Sequence, residues 1–360
     1  MALPQAEAPE RAALISRTVP LASLFVLLAA LPFAGAKADE YRASSYVFGT
    51  IAQITVLDSD RARAQRAAGR VFSELDRMHR ELHAWKSGDL VALNQAIARG
   101  EKNIPTTGEI AALIRQSQRL ASQSDDLFNP AIGKLVGLWS FHRDKPGGPV
   151  PDARDIGRLV AARPRMSDLS VRGEEISSTN PAVQLDFGGY AKGYALDRSA
   201  DLLRAEGISS ALINIGGNAI ALGRHGGRPW RVGLDSPRGP GLLATLELND
   251  DEAVGTSGDY RHYYEIDGKR YAHIIDPRTG YPVSGVESVT VLMSGGEGAG
   301  ALSDAASKPI FIEGLGGWRE AAARMGVSRA MLVDASGIVH VTRELRARLR
   351  FRDPHRAAVQ

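Results

Sequence analysis

Apolar residues recur at helical spacing early in the chain and at strand spacing later. Residues 51–57 are β-branched and apolar, which predicts a strand. Apolar residues then recur every three or four positions from Ala64 to Leu82 and predict a long amphipathic helix. Thr106 and Glu109 form a capping-box pattern that predicts the start of a second helix. The folded chain is therefore predicted to begin with a strand and two helices.

Short apolar runs separated by glycines dominate from residue 182 onward. They predict strands at residues 182–185, 211–215, 230–234, 244–248, 263–266 and 289–293, and a hairpin of residues 331–333 and 338–341. Helices are predicted at residues 191–206 and 318–325. This mixture favours an α+β fold over a regular alternation of strands and helices.

A loop rich in glycine and proline at residues 144–152 is the predicted boundary between two lobes. We assign residues 39–145 to an N-terminal α/β lobe and residues 146–345 to a second, α+β lobe. Residues 346–360 carry a cluster of arginines, which we interpret as a solvated basic tail without a function. The net charge of +3 is too small to indicate a nucleic-acid partner.

The first residues have the layout of a secretory signal peptide. Arg11 and Arg17 precede an apolar run at residues 21–34, and Ala36-Lys37-Ala38 offers a small-x-small cleavage pattern. The run is shorter than the roughly 20 residues of a membrane span. We predict cleavage after Ala38, with an uncleaved membrane anchor as the alternative. The chain contains no cysteine, which excludes disulfides, thiol catalysis and a lipid-anchor cysteine. A soluble periplasmic protein without stable membrane insertion is expected.

The segment from Asp186 to Tyr194 leaves a predicted strand, turns at Gly188-Gly189 and enters a helix with Lys192 in its first turn. Glycines let the backbone approach an anion, and a helix N-terminus and a lysine both favour one, so the segment suits a phosphate. It matches neither a Walker loop nor the G-x-G-x-x-G fingerprint. The sequence leaves equally open a plain turn with a solvated lysine.

Three further segments end predicted strands. The turns at Gly216-Gly217 and Thr256-Ser257 could join the Asp186 turn in surrounding one extended ligand such as a dinucleotide. His273 lies three residues before Asp276 at the close of an apolar run. Asp304 follows a glycine-rich loop, where it is suited either to a hard cation or to capping a helix.

These segments, in this order, resemble the ApbE family of FAD:protein FMN transferases. Asp186 to Tyr194 is similar to the family string Asp-Leu-Gly-Gly-Ile-Ala-Lys-Gly-Tyr. The other matching segments are Phe48-Gly49-Thr50 and residues 127–133, 138–141, 214–218, 256–260 and 273–282. The resemblance covers nearly the whole chain after the predicted signal peptide.

The resemblance implies a two-lobed α+β fold related to T-fold domains, with mixed and antiparallel sheets. It also implies that FAD lies between the lobes with Mg²⁺ on its pyrophosphate. FMN would be moved to a threonine or serine hydroxyl of an acceptor protein through a phosphoester bond, with release of AMP.

The predicted site residues follow from the matching positions and the glycine turns. The predicted FAD-binding residues are Phe48, Trp85, Asn129, Pro130, Ala131, Asp186, Lys192, Gly216, Gly217, Thr256, Ser257 and His273. The predicted metal ligands are Gly189, Asp304 and Ser307, and the predicted catalytic residues are His273, Asp276 and Lys308.

The chain departs from the family pattern at four positions. Phe48 replaces a methionine, Trp85 a tyrosine and Asn218 an aspartate. Lys308 stands where the family has a threonine that binds the metal, and an ammonium cannot ligate Mg²⁺. Pro309 predicts a turn or kink that lets Ser307 rotate into the ligand position. Alternatively, the Lys308 ammonium contacts the pyrophosphate directly; we expect one metal on Asp304 with Lys308 assisting.

Two other functions fit part of the pattern. A non-catalytic periplasmic flavin carrier or assembly factor would explain the changes at Asn218 and Lys308. A periplasmic receptor for small solutes would leave the glycine turns unexplained. No acceptor string is recognised in the chain, so self-flavinylation is not expected.

Overall fold

The computed structural model describes residues 39–296 and 298–353 and the backbone of residues 357–359. The predicted signal peptide, residues 1–38, lies outside the described residues. The described residues form one compact unit. Within the described ranges, no helix is both long enough and apolar enough to cross a membrane. The boundary between two lobes stays a prediction.

The secondary structure is a mixture of helices and mostly antiparallel strands. The helices are α1 (Arg61–Glu81), α2 (Asp89–Ala98), α3 (Gly108–Gln123), α4 (Gly133–Leu138), α5 (Ala153–Ala161), α6 (Ala191–Ala205), α7 (Ala299–Arg324) and α8 (Arg343–Arg346). The strands are β1 (Asp39–Val47), β2 (Thr50–Asp58), β3 (Ile104–Pro105), β4 (Leu169–Arg172), β5 (Glu175–Ser178), β6 (Ala211–Ile215), β7 (Asn218–Leu222), β8 (Trp230–Asp235), β9 (Leu242–Leu248), β10 (Ala253–Gly258), β11 (Tyr263–Ile266), β12 (Lys269–Ala272), β13 (Val286–Met293), β14 (Ala330–Asp334), β15 (Val339–Val341), β16 (Leu349–Phe351) and β17 (Ala357–Val359). The α+β class predicted from the sequence is confirmed.

The main sheet has the strand order β1-β2-β6-β7-β10-β13-β14-β15-β17. Its neighbours pair antiparallel except for β15 and β17, which are parallel. Helices α1, α6 and α7 cover one face, and the small sheet β16-β9-β8 covers the other. Successive residues of β10 face opposite sides of the sheet. Ala253 belongs to the apolar cluster that includes the helices, and Val254 belongs to the cluster that includes Trp230 of β8.

The N-terminal elements agree with the sequence pattern apart from one helix start. Helix α1 buries the apolar stripe predicted between residues 64 and 82. Helix α3 begins one residue later than predicted, because Thr107 rather than Thr106 caps it and accepts a hydrogen bond from Ile110 N. The Thr106 hydroxyl is buried without a hydrogen-bond partner among the described residues.

Two elements differ from the prediction. Residues 182–185 form no strand; they make only an isolated parallel bridge between Gln184 and Ile132, since the chain there follows a loop instead of a sheet edge. Helix α7 was predicted only at residues 318–325, but it begins at Ala299 and continues through Pro309, so the predicted turn at that residue is wrong. Ile310 and Phe311 are fully buried, and this packing holds the helix despite the lost backbone donor. The chain breaks instead at Gly314, where φ is 56° and ψ is −158°.

Part of the basic C-terminal stretch is packed rather than solvated. Strand β16 pairs with β9, and Leu349 is buried between them and the main sheet. Arg348 donates hydrogen bonds to both carboxylate oxygens of Glu252. The arginines at this end therefore include one that anchors β16.

Candidate functional site

Two segments that the sequence predicted to bind FAD lie side by side. Gln184 N donates to Ala131 O at 3.1 Å, and Asp186 N donates to Pro130 O at 2.8 Å. The Asn129 side chain is used locally, since its amide donates to Pro164 O and its oxygen accepts from Ala131 N. Residues 129–131 therefore form a rigid wall beside Asp186.

The Asp186 carboxylate connects the glycine turn to an aromatic wall. One oxygen accepts from Gly188 N at 2.8 Å, and the other accepts from Trp85 Nε1 at 2.9 Å. Trp85 stacks on His142 with ring centroids 4.4 Å apart. The turn and the indole are thus held in one orientation before any ligand arrives.

Histidines that the sequence prediction missed contact both predicted aromatic residues, Phe48 and Trp85. Phe48 makes an edge contact with His79 at 5.5 Å, and its own backbone is in the left-handed region with φ of 53°. The Nδ1 atom of His142 is buried without a partner among the described residues, and burial lowers the pKa of this histidine. The only hint in the sequence was that His142 directly follows the family-like segment at residues 138–141.

Helices α6 and α7 approach closely enough to bring two predicted parts of the site together. A Cβ at Gly193 would lie 2.3 Å from Gly300 O, and a Cβ at Gly300 would lie 2.5 Å from Gly193 O. Gly193 N donates to Asp304 Oδ2 at 3.0 Å. The buried Asp304 carboxylate therefore lies at the first turn of α6, which carries Lys192.

Lys308 forms an ion pair with Asp304 one helical turn earlier. Its ammonium donates to the Asp304 carboxylate and, at 2.9 Å, to Asp304 O. Burial lowers the pKa of Lys308 and is opposed by the Asp304 carboxylate. Burial would raise the pKa of Asp304, but the Lys308 and Lys192 charges outweigh it and the pKa is lowered. The two side chains are therefore bonded partners in a site that is only slightly open, with the Lys308 side chain 14% exposed.

The predicted metal ligands do not fit Mg²⁺ in this arrangement. Mg²⁺ needs several oxygen ligands in octahedral geometry. The Ser307 hydroxyl is fully buried, donates to Asp304 O at 2.7 Å and lies 2.6 Å from the Ser257 hydroxyl. A Cβ at Gly189 would lie 3.3 Å from Lys308 Cε, so the lysine side chain passes beside the third predicted ligand. The described residues contain no cluster of three or more histidine or acidic side chains suited to a metal.

His273 is held in one tautomer. Its Nδ1 lies 3.1 Å from His262 O, and since a carbonyl only accepts, Nδ1 carries the proton and Nε2 keeps its lone pair. Burial, followed by the charges of His262, Lys192 and Lys308, lowers the pKa of His273 to about 3. The ring is therefore neutral, and it is an electrostatic neighbour of the two lysines.

The other predicted catalytic residue, Asp276, is occupied by a local ion pair. Both of its carboxylate oxygens accept from Arg278, whose guanidinium also reaches Glu313. Gly280 N donates to Asp276 O at 2.8 Å. Asp276 thus holds the turn that follows Ile275, and the described hydrogen bonds do not link it to Lys308 or Lys192.

The structure divides the remaining predicted residues between two faces of the main sheet. Ser257 points to α7, where it meets Ser307. Thr256 points to the opposite face and bonds to Thr290, because successive residues of a strand alternate. Thr256 lines a cavity of about 380 Å³ together with Gly216 and Gly217, and the residues lining this cavity do not include Asp186, Lys192 or Asp304. The arrangement of all three glycine turns around one ligand stays a prediction.

Asn218, which differs from the family aspartate, is buried at the start of β7. Its Oδ1 accepts from Thr256 N at 3.0 Å, while its Nδ2 has no partner among the described residues. The amide therefore keeps the backbone contact that a carboxylate oxygen would also make.

Sequence comparison finds relatives of this chain. The sequence profile of the ApbE family matches residues 48–332. The chain is 40% identical over 329 residues to the FAD:protein FMN transferase of Rhodobacter capsulatus, covering 91% of this chain and 62% of that protein. It is 33% identical over 252 residues to an FAD:protein FMN transferase of Klebsiella pneumoniae, covering 68% of this chain and 71% of that protein.

Solved structures share the fold. The ApbE protein of Thermotoga maritima superposes with a TM-score of 0.78 at 26% identity, covering 87% of this chain and all of that chain (100%). The apo form of the flavinyl transferase ApbE of Pseudomonas stutzeri superposes with a TM-score of 0.73 at 27% identity, covering 86% of this chain and 97% of that chain. The matched profile, the relatives and the clustered motif residues together show that this chain belongs to the ApbE family.

Proposed function

We propose that this protein is an FAD:protein FMN transferase that moves FMN from FAD to a threonine or serine hydroxyl of an acceptor protein. The observation that carries the proposal is the cluster of Lys192, Asp304, Lys308 and His273 beside the Asp186 turn. Two ammonium groups at a helix N-terminus suit a diphosphate, and a neutral histidine beside them suits deprotonation of a hydroxyl. The names of the relatives favour this enzyme over a non-catalytic carrier or assembly factor.

The flavin is proposed to lie against the side chains of Phe48 and Trp85. Its diphosphate then reaches the first turn of α6, where Lys192 is half-buried and its ammonium lies 3.4 Å from Gly188 O. The walls at residues 129–131 and Asp186 are fixed by backbone hydrogen bonds, so they position the nucleotide at little entropic cost.

The proposed reaction is one in-line displacement at the FMN phosphorus. The acceptor oxygen forms a bond to that phosphorus, and the bond from the same phosphorus to the bridging oxygen breaks. The bridging oxygen leaves with AMP, and the proton of the hydroxyl passes to His273 Nε2. Lys192 and Lys308 offset the negative charge that develops on the phosphate oxygens.

Bound FAD would make His273 a better base. The positive charges of Lys192 and Lys308 contribute to its low pKa. An anionic diphosphate beside those lysines offsets their charge and raises the pKa of His273. The base is therefore strengthened only when the donor is in place.

Mg²⁺ is implied only by the family resemblance. The residues of this chain do not fit it in the arrangement described above, and no step of the proposed reaction passes through a metal. Periplasmic location and removal of residues 1–38 likewise remain predictions.

The test is incubation of residues 39–360 with FAD and an acceptor domain that the Pseudomonas stutzeri enzyme flavinylates. An FMN-sized gain in intact mass, with release of an equal amount of AMP, is expected. An acceptor whose target hydroxyl is removed by Thr→Val or Ser→Ala, and FMN offered in place of FAD, are the controls and should give no gain. FAD binding without any mass gain, across a panel of such acceptors, would favour the carrier.

A further inference from the structure

We propose that the Lys308 ammonium takes the place of a divalent cation at the diphosphate, so that this enzyme binds its donor without Mg²⁺. The inference rests on the proposed function for the identity of the donor. It concerns which ion neutralises the diphosphate. This affects donor binding, which can be measured without an acceptor.

Position is the first observation. The Lys308 ammonium is bonded to Asp304, the predicted carboxylate ligand, and its side chain passes Gly189, the predicted carbonyl ligand. An ammonium bonded to the Asp304 carboxylate excludes a second cation from the same place by charge repulsion.

Rigidity is the second observation. Helix α7 keeps helical backbone angles from Ala299 until Gly314, so Lys308 stays one turn after Asp304 on the same side of the helix. Ser307 is fixed by hydrogen bonds to β10 and to its own helix. No rotation of the segment brings the serine hydroxyl out to a metal without breaking both bonds.

The third observation is the number of N–H donors on the Lys308 ammonium. An ammonium has three N–H donors. Asp304 accepts two of them, through its carboxylate and its carbonyl. The third remains for a diphosphate oxygen, and Lys192 adds a second ammonium from α6. Asp304 therefore acts as a positioning residue for the lysine instead of a metal ligand.

The test measures FAD binding by flavin fluorescence with the whole chain after residue 38, in EDTA and in Mg²⁺. The parent is expected to show less than a twofold change in Kd between the two conditions. Lys308→Thr, which restores the family residue, is expected to bind FAD about tenfold more weakly in EDTA and to recover with Mg²⁺. Lys308→Met is expected to be weak in both conditions.

Direct metal binding is the second readout. Mn²⁺ is used as a paramagnetic probe, and its free fraction is followed by electron paramagnetic resonance in the presence of FAD. The parent should not hold Mn²⁺ at one ion per chain, whereas Lys308→Thr should. Lys269→Met removes an exposed lysine from the β11–β12 hairpin and is the matched control, expected to behave as the parent.

Three results would overturn the inference: an EDTA-sensitive parent, stoichiometric Mn²⁺ in the parent, or variants at Lys308 that match the parent in every condition. If Lys308→Met does not fold, as judged by circular dichroism, the parent measurements alone still decide. Loss of flavin transfer with intact, metal-independent FAD binding would refute the proposed function and leave this inference standing.

Discussion

Replacement of Lys192 by alanine tests whether the first turn of α6 is the diphosphate site. The Lys192 residue is half-buried, and the contact from its ammonium to Gly188 O is long, at 3.4 Å. The lysine therefore gives up little when it turns to a ligand. A hydrogen bond to a charged group contributes about 1.5–3 kcal/mol. Partial exposure places Lys192 at the lower end of that range, which corresponds to about a tenfold loss of affinity.

Fluorescence titration with two ligands gives a sharp assay for this prediction. FAD should bind Lys192→Ala about tenfold more weakly than the parent. Riboflavin has no phosphate and should bind both proteins equally. Lys192→Arg keeps the charge and should recover most of the FAD affinity. Equal FAD affinity in parent and alanine variant, or an equal loss for riboflavin, would refute the assignment of the diphosphate to this turn.

Three other changes test the proton acceptor, a buried carboxylate and the helix crossing. His273→Gln should abolish transfer to the acceptor while FAD affinity changes little, because the ring is proposed to act on the hydroxyl; a matching loss of binding would contradict that role. The buried Asp197 carboxylate accepts from two backbone N–H groups at the start of α7, and burial raises its pKa to about 6. Because the pKa of Asp197 is higher in the folded chain than in the unfolded chain, protonation of this carboxyl stabilises the fold. This contribution, roughly 3 kcal/mol, is fully present below the pKa of the unfolded chain and is lost as the pH rises through 6. Urea unfolding from pH 4 to 7 should therefore show the parent losing stability relative to Asp197→Asn, and parallel curves would argue against it. Gly193→Ala should destabilise the fold by about 1–3 kcal/mol and weaken FAD binding, since its Cβ would meet a backbone oxygen at 2.3 Å. Gly69→Ala, in open space on α1, is its control and should unfold at the same or a higher urea concentration.

The sequence predicted those parts of the structure that depend on local patterns. The stripe of α1, the strands at residues 211–215 and 263–266, and the entry into α6 follow from periodicity and turn residues. The side-by-side placement of residues 129–131 and Asp186 followed only from the family resemblance, because backbone pairing across such a distance leaves no local signal.

Errors arose where packing outweighs local preference. Proline normally ends a helix, yet α7 continues through Pro309, where the side chains that follow it are buried. Thr256 and Ser257 look like one motif in the sequence, but strand alternation sends them to opposite faces. The stack of His142 on Trp85 joins residues far apart in the chain and was not predictable from either segment.

The crossing of α6 and α7 has a consequence for engineering this site. Gly193 and Gly300 let the two main chains meet directly, with no side chain between them. The separation of the first turn of α6 from the acidic residue on α7 is consequently set by direct backbone contact, which rotamer changes nearby do not alter. A library that varies Lys308 or Trp85 while keeping both glycines changes the chemistry of the site without changing the distance between α6 and α7. Varying either glycine would instead change the distance between the two helices. Changes in donor preference are therefore best sought among the side chains that line the site.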